Sequence, residues 1–376
     1  MTGTEGAIVA ACEGLGPVAD RWVLNRRLRE IHASTTGRLR PDERLLHAAN
    51  LAYSDAAVDR VLAEARGGDG DVRIVLEAAA LEPILALTGE APAFTYLRGA
   101  GEGELTTRAE AAPTRVVNVK QTALPGFALP DAELQVVDQW ALPIGHWAQL
   151  LWANLLALGP SLWQALGAGL GGAWRIAWAA VCTGSISPYR LARRVNVLGS
   201  GARVHPNATL EGCVLGPGVV VGAGAVVRGC VVGANARIED LALVEGSVIG
   251  EGAVVQRLAM VKFSLVEPGA HAAGIQQLGV IGEGATVKHG ATLMDQSFGG
   301  PVRVRVGGIL VNAPHGMLGV CVGPGAVIGS GIQIAAGRAI PPGLTIVPDP
   351  ANLVLRMDLP PGTLRARASQ GGLQPL

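Results

Sequence analysis

Lysine is nearly missing from this chain: only Lys120, Lys262 and Lys288 occur, while arginine is abundant. That imbalance reads as genome composition rather than function. Charge is sparse as well, at 16% of residues, and the 30 acidic side chains cancel the 30 basic ones. A net charge of zero excludes a nucleic-acid-scale basic surface. Aromatics are only 4% of residues while hydrophobic residues are 49%, which excludes intrinsic disorder. The 53 glycines do not recur at every third position, so the chain is not collagen-like. None of the five cysteines pairs as CxxC, which disfavours zinc or a disulfide framework. No secretory signal is visible: the first apolar run, Ala7 to Cys12, is short and has no basic residue before it. The expected location is cytoplasmic.

What the sequence does contain is a repeat. Leu198, Val204, Leu210, Leu215, Val221, Val227, Val232, Ile238, Val244, Ile249, Val255, Val261 and Val266 are spaced 6, 6 and 5 residues apart, a period of 17. Two positions before most of them stands a small residue, such as Ala225, Cys230 or Ser247. Side chains alternate along a strand, so both members of each pair face the same way. The pattern predicts a coil of three short strands per turn, with identical inward positions stacked at roughly 4.8 Å. One such column is Cys213, Cys230, Ser247 and Ser264, which explains the two cysteines structurally. The rhythm is disturbed between Ala272 and Ile281 and returns in sixes from Val322 to Ile346. About seven turns are expected. Arg338 falls on an inward-small position, which an ideal coil would not choose.

These residues resemble the hexapeptide-repeat transferases, and the 6-6-5 rhythm is most similar to the C-terminal coil of sugar-1-phosphate nucleotidyltransferases. The resemblance covers Leu198 to about Ile346. It implies a left-handed parallel β-helix and a homotrimer. It also implies transfer of an acyl or acetyl group from acyl-CoA, acetyl-CoA or an acyl-carrier protein to a sugar or sugar-nucleotide.

Leu293 and Val322 lie 29 residues apart where the coil needs six. The intervening segment carries two β-rich runs around Gly307-Gly308, a hairpin signal. Val302, Val304 and Val306 would share one face, with Arg303 and Arg305 on the other. Asn312, Pro314, His315 and Gly316 follow. The resemblance implies that such an excursion leans on a neighbouring subunit and carries a histidine that takes the acceptor's proton. His315 and His289 are the candidates, because an imidazole titrates near working pH. Asp295 is the candidate to orient the ring. Arg303, Arg305, Lys288 and Asn312 are candidates to hold a phosphorylated substrate. No metal ligands are assigned.

Residues 1–135 lack the repeat and read as a small α/β domain, with strands at Ala7–Cys12, Val72–Leu76 and Arg115–Val119. A helix fits Asp55 to Ala65, with Asp55 as N-cap. Gly6 to Gly14 faintly echoes the opening strand and glycine-rich loop of the nucleotidyltransferases. The family's Arg is absent from Leu15 to Val18, however, and no lysine precedes Lys120. Residues 136–185 form a tryptophan-rich apolar segment, read as two helices, Ile144–Leu158 and Ser161–Val181, separated at Gly159-Pro160. This segment links the two domains; alternatively, residues 140–181 contact a partner or a membrane surface. The coil spans 195–348 with the inserted loop at 294–321, and residues 349–376 cap it. The leading reading is a cytoplasmic acyltransferase. The alternatives are a nucleotidyltransferase relative, active or decayed, that would need Mg²⁺, and a non-catalytic trimeric scaffold at a membrane.

Overall fold

The computed structural model describes residues 11–12, 15–17, 21–68, 70–119, 122–129, 132–167, 194–352, 354, 356, 358–361, 363–364, 366–369 and 372–375. Expectations that fall on Ala7 to Ala10, Lys120 and residues 168–193 lie outside them.

The N-terminal region is mixed α/β. Its sheet runs in the order Glu43–His47, Ala93–Arg98, Val72–Glu77, Thr114–Asn118. The last pair is parallel and the other two are antiparallel. Two of these strands match the sequence reading to within a residue; Glu43–His47 and Ala93–Arg98 were not anticipated. Helices α1 (Leu28–Thr35) and α2 (Asp55–Arg66) bury an apolar stripe, which in α2 is Ala57, Val58, Val61, Leu62 and Ala65. Two short helices follow, α3 (Glu82–Leu85) and α4 (Leu105–Ala111). The N-cap of α2 is Ser54 rather than Asp55: the Ser54 hydroxyl accepts from the Ala57 N–H at 3.1 Å. Asp55 then sits in the first turn, where its charge suits the helix dipole.

The tryptophan-rich segment forms one helix, α5 (Trp147–Gly167), where two were expected. Pro160 lies inside it and Ser161 caps nothing. Proline forfeits one N–H bond to the preceding turn, but the turns before it are fixed by packing: Trp147, Leu150, Leu151 and Trp152 are all buried. Three polar residues in or just before α5 have local structural duties. Gln149 Oε1 accepts from the Gly145 and His146 N–H groups at 2.9 and 3.1 Å. His146 Nδ1 accepts from the Ala148 N–H. Asn154 accepts from the Leu24 N–H and donates to the Trp22 carbonyl, each at 2.9 Å. Among the described residues, no helix is long and apolar enough to cross a membrane.

The C-terminal region is a parallel β-solenoid. Two faces are eight strands deep and the third is seven, so the coil makes eight turns, one more than expected. Register is 17 residues for the first four steps, as in Leu198↔Leu215↔Val232↔Ile249↔Val266. The marked aliphatics and small residues form one continuous core inside it. The predicted column is present. Ser247 and Ser264 each donate to the carbonyl two residues earlier at 2.7 Å, and Cys213 and Cys230 make the longer sulfur equivalents. Both thiols are free and fully buried.

The disturbance after Ala272 is a shortened turn. The step Leu265↔Val280 takes 15 residues because a corner is cut at Ala273–Gly274. The cut draws the backbones together so tightly that a Cβ on Gly274 would meet the Ala291 carbonyl oxygen. It also places Gln276 in the inward column between Val261 and Leu293. Gln276 is 1% exposed, and neither its amide nitrogen nor its amide oxygen has a hydrogen-bond partner among the described residues. Arg338, by contrast, escapes its nominal inward position. It is exposed and donates to the Arg303 carbonyl at 3.2 Å.

The three faces differ in what they show outward. On the first, the outward residues are Val214, Val231, Val248, Leu265, Val280 and Cys321. The last four are buried in the same core as α5 and the N-terminal sheet. The second and third faces are open and carry a mixture, including Arg203, Arg237, Leu243 and Met260.

Candidate functional site

The inserted segment is a hairpin, Arg303–Val306 against Ile309–Asn312, turning at Gly307-Gly308. Val302 and Val304 are buried while Arg303 and Arg305 are exposed, as the alternation requires. The buried pair joins the core that contains α5. The excursion is therefore anchored to this chain's own N-terminal region. Gly337 makes room for it: a Cβ there would meet the Arg303 carbonyl and the Val302 side chain.

Beyond the hairpin the chain makes one tight turn, Pro314–Gly316, which brings His315 against α5. His315 is held in the left-handed region at φ 57°, ψ 16°, which is uncommon for a residue with a Cβ. Its ring centroid lies 5.1 Å from that of Trp152, at 60° between planes. Half-burial lowers the imidazole's pKa, so the ring is neutral at pH 7. Among the described residues, no hydrogen bond reaches its nitrogens. Among the described residues, no hydrogen bond joins Asp295 to it; the Asp295 backbone carbonyl accepts from the Leu318 N–H at 3.2 Å, and burial pushes its carboxyl up.

A cleft of about 440 Å³ opens on the other side of the Pro301–Val302 segment, under the hairpin. Phe298, Arg303, Leu310, Asn312, Ala336 and Arg338 are in its wall. Arg303 and Asn312 face each other directly across the hairpin. The Val302 N–H donates to the Gly316 carbonyl at 2.9 Å, so one short strand separates the cleft from the His315 turn. The structure thus brings Arg303 and Asn312 together in the cleft wall, of which His315 is not a part. Arg305 turns toward the hairpin tip, where it donates to the Gly308 carbonyl at 3.1 Å. Lys288 and His289 are exposed at the corner between the second and third faces.

Sequence reasoning missed two members of this region. Arg338 was seen only as an imperfection of the coil. Trp152 was one tryptophan among several, 163 residues before His315. No spacing signal joins them; only the docking of α5 on the first face does.

A second concentration of titratable groups lies in the N-terminal domain. His32, His47 and Tyr53 pack ring to ring, with His32 and His47 4.3 Å apart. Burial, with His47 adding to it, lowers the His32 pKa to about 4. Its Nε2 bonds the Leu51 carbonyl at 2.7 Å, while His47 Nε2 bonds the Tyr53 hydroxyl at 3.2 Å. These bonds fix the backbone and leave little free to meet a substrate. Asp71, in the Gly68–Asp71 turn, is committed to Arg108 at 2.8 Å. Among the described residues, no group of three or more His, Cys, Asp or Glu side chains converges as a metal site would require.

Residues 197–229 match the family described as bacterial transferase hexapeptide (six repeats). The chain is similar in structure to a hexapeptide transferase family protein from Anaplasma phagocytophilum. That similarity has 18% identity over 41% of this chain and 74% of that one, with a TM-score of 0.26. It is similar also to the acetyltransferase domain of PglB from Neisseria gonorrhoeae FA1090, with 19% identity over 73% of this chain and 95% of that one, and a TM-score of 0.17. No curated protein matches the sequence. These likenesses assign no role to any residue here. The match on 197–229 and the ladder of parallel strands that continues it make the C-terminal region a parallel β-solenoid of hexapeptide repeats.

Proposed function

We propose that the protein is an acyltransferase acting on a sugar or sugar-nucleotide, with acetyl-CoA or another acyl thioester as donor and His315 as general base. The observation that carries this reading is the state of His315. A neutral imidazole with unengaged nitrogens is held by a strained turn beside a cleft that offers two guanidinium groups and an amide. A general base must be unprotonated and unoccupied to accept a proton. Arg303 and Arg338 supply charge for a phosphorylated substrate, and Asn312 supplies polar contacts.

The proposed assembly is a homotrimer built through the open faces. Leu241 and Leu258 stand 58% and 69% exposed at the corner between them. Both adopt the left-handed backbone conformation, at φ 59° and 62°. Lys288 and His289 share this edge and so fall to a neighbouring subunit's reach.

The test is transfer from acetyl-CoA to a panel of amino- and hydroxy-sugar nucleotides, on protein whose mass in solution is fixed by sedimentation. His315→Ala is expected to lower kcat/KM by about 10²–10⁴-fold, the usual worth of a positioned base. His289→Ala is expected to retain most activity. The acid limb of the pH profile lies below 6.5, because burial lowers the His315 pKa. Full activity in His315→Ala would remove the mechanism, and a monomeric mass would remove the trimer.

A further inference from the structure

The geometry points to Trp152 as the second catalytic group, its indole N–H holding the carbonyl oxygen of the acyl thioester at His315. This inference rests on the acyl-transfer reading above. Trp152 is only 4% exposed. Its Nε1 is buried with no hydrogen-bond acceptor among the described residues. An indole nitrogen can only donate, and a buried one ordinarily finds a partner. The ring that meets the Trp152 indole, tilted at 60° with centroids 5.1 Å apart, is that of His315, whose nitrogens are unmet too. The turn carrying that ring holds an unfavourable backbone angle. An unmet donor, an unmet imidazole and local strain thus coincide at one contact.

The lining selects the ligand. Helix α3 lies against the Pro314–Gly316 turn, and Leu318 belongs to the apolar core that contains Trp152, with Met294 and Met317 packed against that core. An apolar wall with one N–H and one imidazole suits a thioester. The carbonyl oxygen accepts from Trp152, while the sulfur and acyl chain meet apolar side chains. The acceptor's hydroxyl or amine gives its proton to the free nitrogen of His315 as its heteroatom bonds to the carbonyl carbon. Charge then collects on the carbonyl oxygen, and the Trp152 hydrogen bond strengthens there. The C–S bond breaks with its electron pair on sulfur, and the thiolate takes the proton back from the imidazolium. A donor aimed at that oxygen accelerates the step without having to bind the ground state more tightly.

Trp152→Phe keeps an aromatic ring and deletes the N–H. With acetyl-CoA and whichever acceptor the wild type uses, kcat is expected to fall about 10²-fold. KM for acetyl-CoA should move little, and thermal stability should not track the loss. Trp152→His restores a ring N–H and should recover part of kcat. The acid limb of the pH profile should stay with His315 in both variants, whereas a mere packing defect would shift it. If no acceptor is found, release of CoA thiol to water gives the same comparison. An unchanged kcat in Trp152→Phe with a dead His315→Ala would overturn the Trp152 assignment and leave the base standing. Activity undiminished in His315→Ala, or a wild type that releases no thiol, would overturn both. If Trp152→Phe fails to fold, a Trp152→His enzyme as slow as His315→Ala counts against the assignment.

Discussion

The first face of the solenoid and the two open faces share one interior and differ only outside. Inward, all three carry the same columns of aliphatic and small residues, buried through the middle turns and open only at the two ends of the coil. Outward, the first face shows Val248, Leu265 and Val280 to α5 and the N-terminal sheet. The second shows Arg203, Val220 and Arg237 in consecutive strands. The inward columns therefore specify that the chain winds, and the outward ones specify what the coil holds. Next to the third-face ladder, Glu211, Arg228, Glu245 and Lys262 alternate in sign with contacts of 2.9, 2.9 and 2.8 Å. That row satisfies itself in solvent, where such pairs are worth little. The candidate site sits on the side where the coil is covered, because only there do α5 and the hairpin turn meet.

The comparison breaks most sharply by placing the same charge on two faces. Val248→Asp puts a carboxyl into the dry contact under α5. Burying an unpaired charge falls in the severe class, about 4 kcal/mol or more. Val220→Asp sets its carboxyl between Arg203 and Arg237 on adjacent strands, with an expected change within about 0.5 kcal/mol. All seven tryptophans lie before residue 179. The described ones report the N-terminal region and its contact with the coil, while circular dichroism reports the strands of the coil as well. Val248→Asp should lower the fluorescence midpoint well below the dichroism midpoint. Equal effects from the two substitutions would mean the first face is not a docking surface.

The solenoid was legible because its signal is periodic and redundant. Thirteen positions can each be checked against the others, and one wrong residue does not hide the rhythm. The cut corner was visible as a lost phase, but not Gln276, since a glutamine is the last residue expected in an aliphatic column. In the N-terminal domain, α2 was found from its stripe of Val58, Val61 and Leu62. Its cap was placed one residue late because Ser54 and Asp55 are both good caps, and only the hydroxyl's bond to Ala57 decides. The hairpin and the outward side of its arginines followed from alternation. The pairing of His315 with Trp152 was not legible, since it depends on the packing of a helix whose course Pro160 disguised.

The docked interface also contains a charge that should reveal itself through pH. Glu267 is fully buried at a corner of the coil, facing Arg21 at 3.3 Å, while Glu283 nearby bonds Trp22 and meets Arg27. Its Oε2 accepts from the Glu283 N–H at 2.9 Å, but its Oε1 has no partner among the described residues. Burial pushes its carboxyl up to about 6 despite the pull of Arg21. The docked state therefore holds this proton more tightly than the unfolded chain does. The contribution is whole below about pH 4.5 and lost as pH climbs through 6. A rise of that size corresponds to about 2 kcal/mol. Glu267→Gln, uncharged throughout, should remove the slope. The test is the difference in urea midpoint between wild type and variant at pH 4.5 and 7.5, read by tryptophan fluorescence. A difference that does not change with pH would show that the docked state does not hold this proton more tightly than the unfolded chain.

The smallest effect expected of a buried group is inside the coil and should leave docking untouched. Gln276 interrupts a column of aliphatic side chains with an amide that has no partner among the described residues. Burying such a group costs about 1–3 kcal/mol relative to an apolar one. Leucine has nearly the same volume, so Gln276→Leu should stabilise the coil by about 1–2 kcal/mol, part of the gain being spent on shape. The gain should appear in the dichroism transition and not in the tryptophan signal, the reverse of Val248→Asp. A loss of stability would mean that Gln276 is bonded through ordered water inside the coil. The shortened corner at Ala273–Gly274 would then be a hydrated feature that the column accommodates, rather than a defect it tolerates.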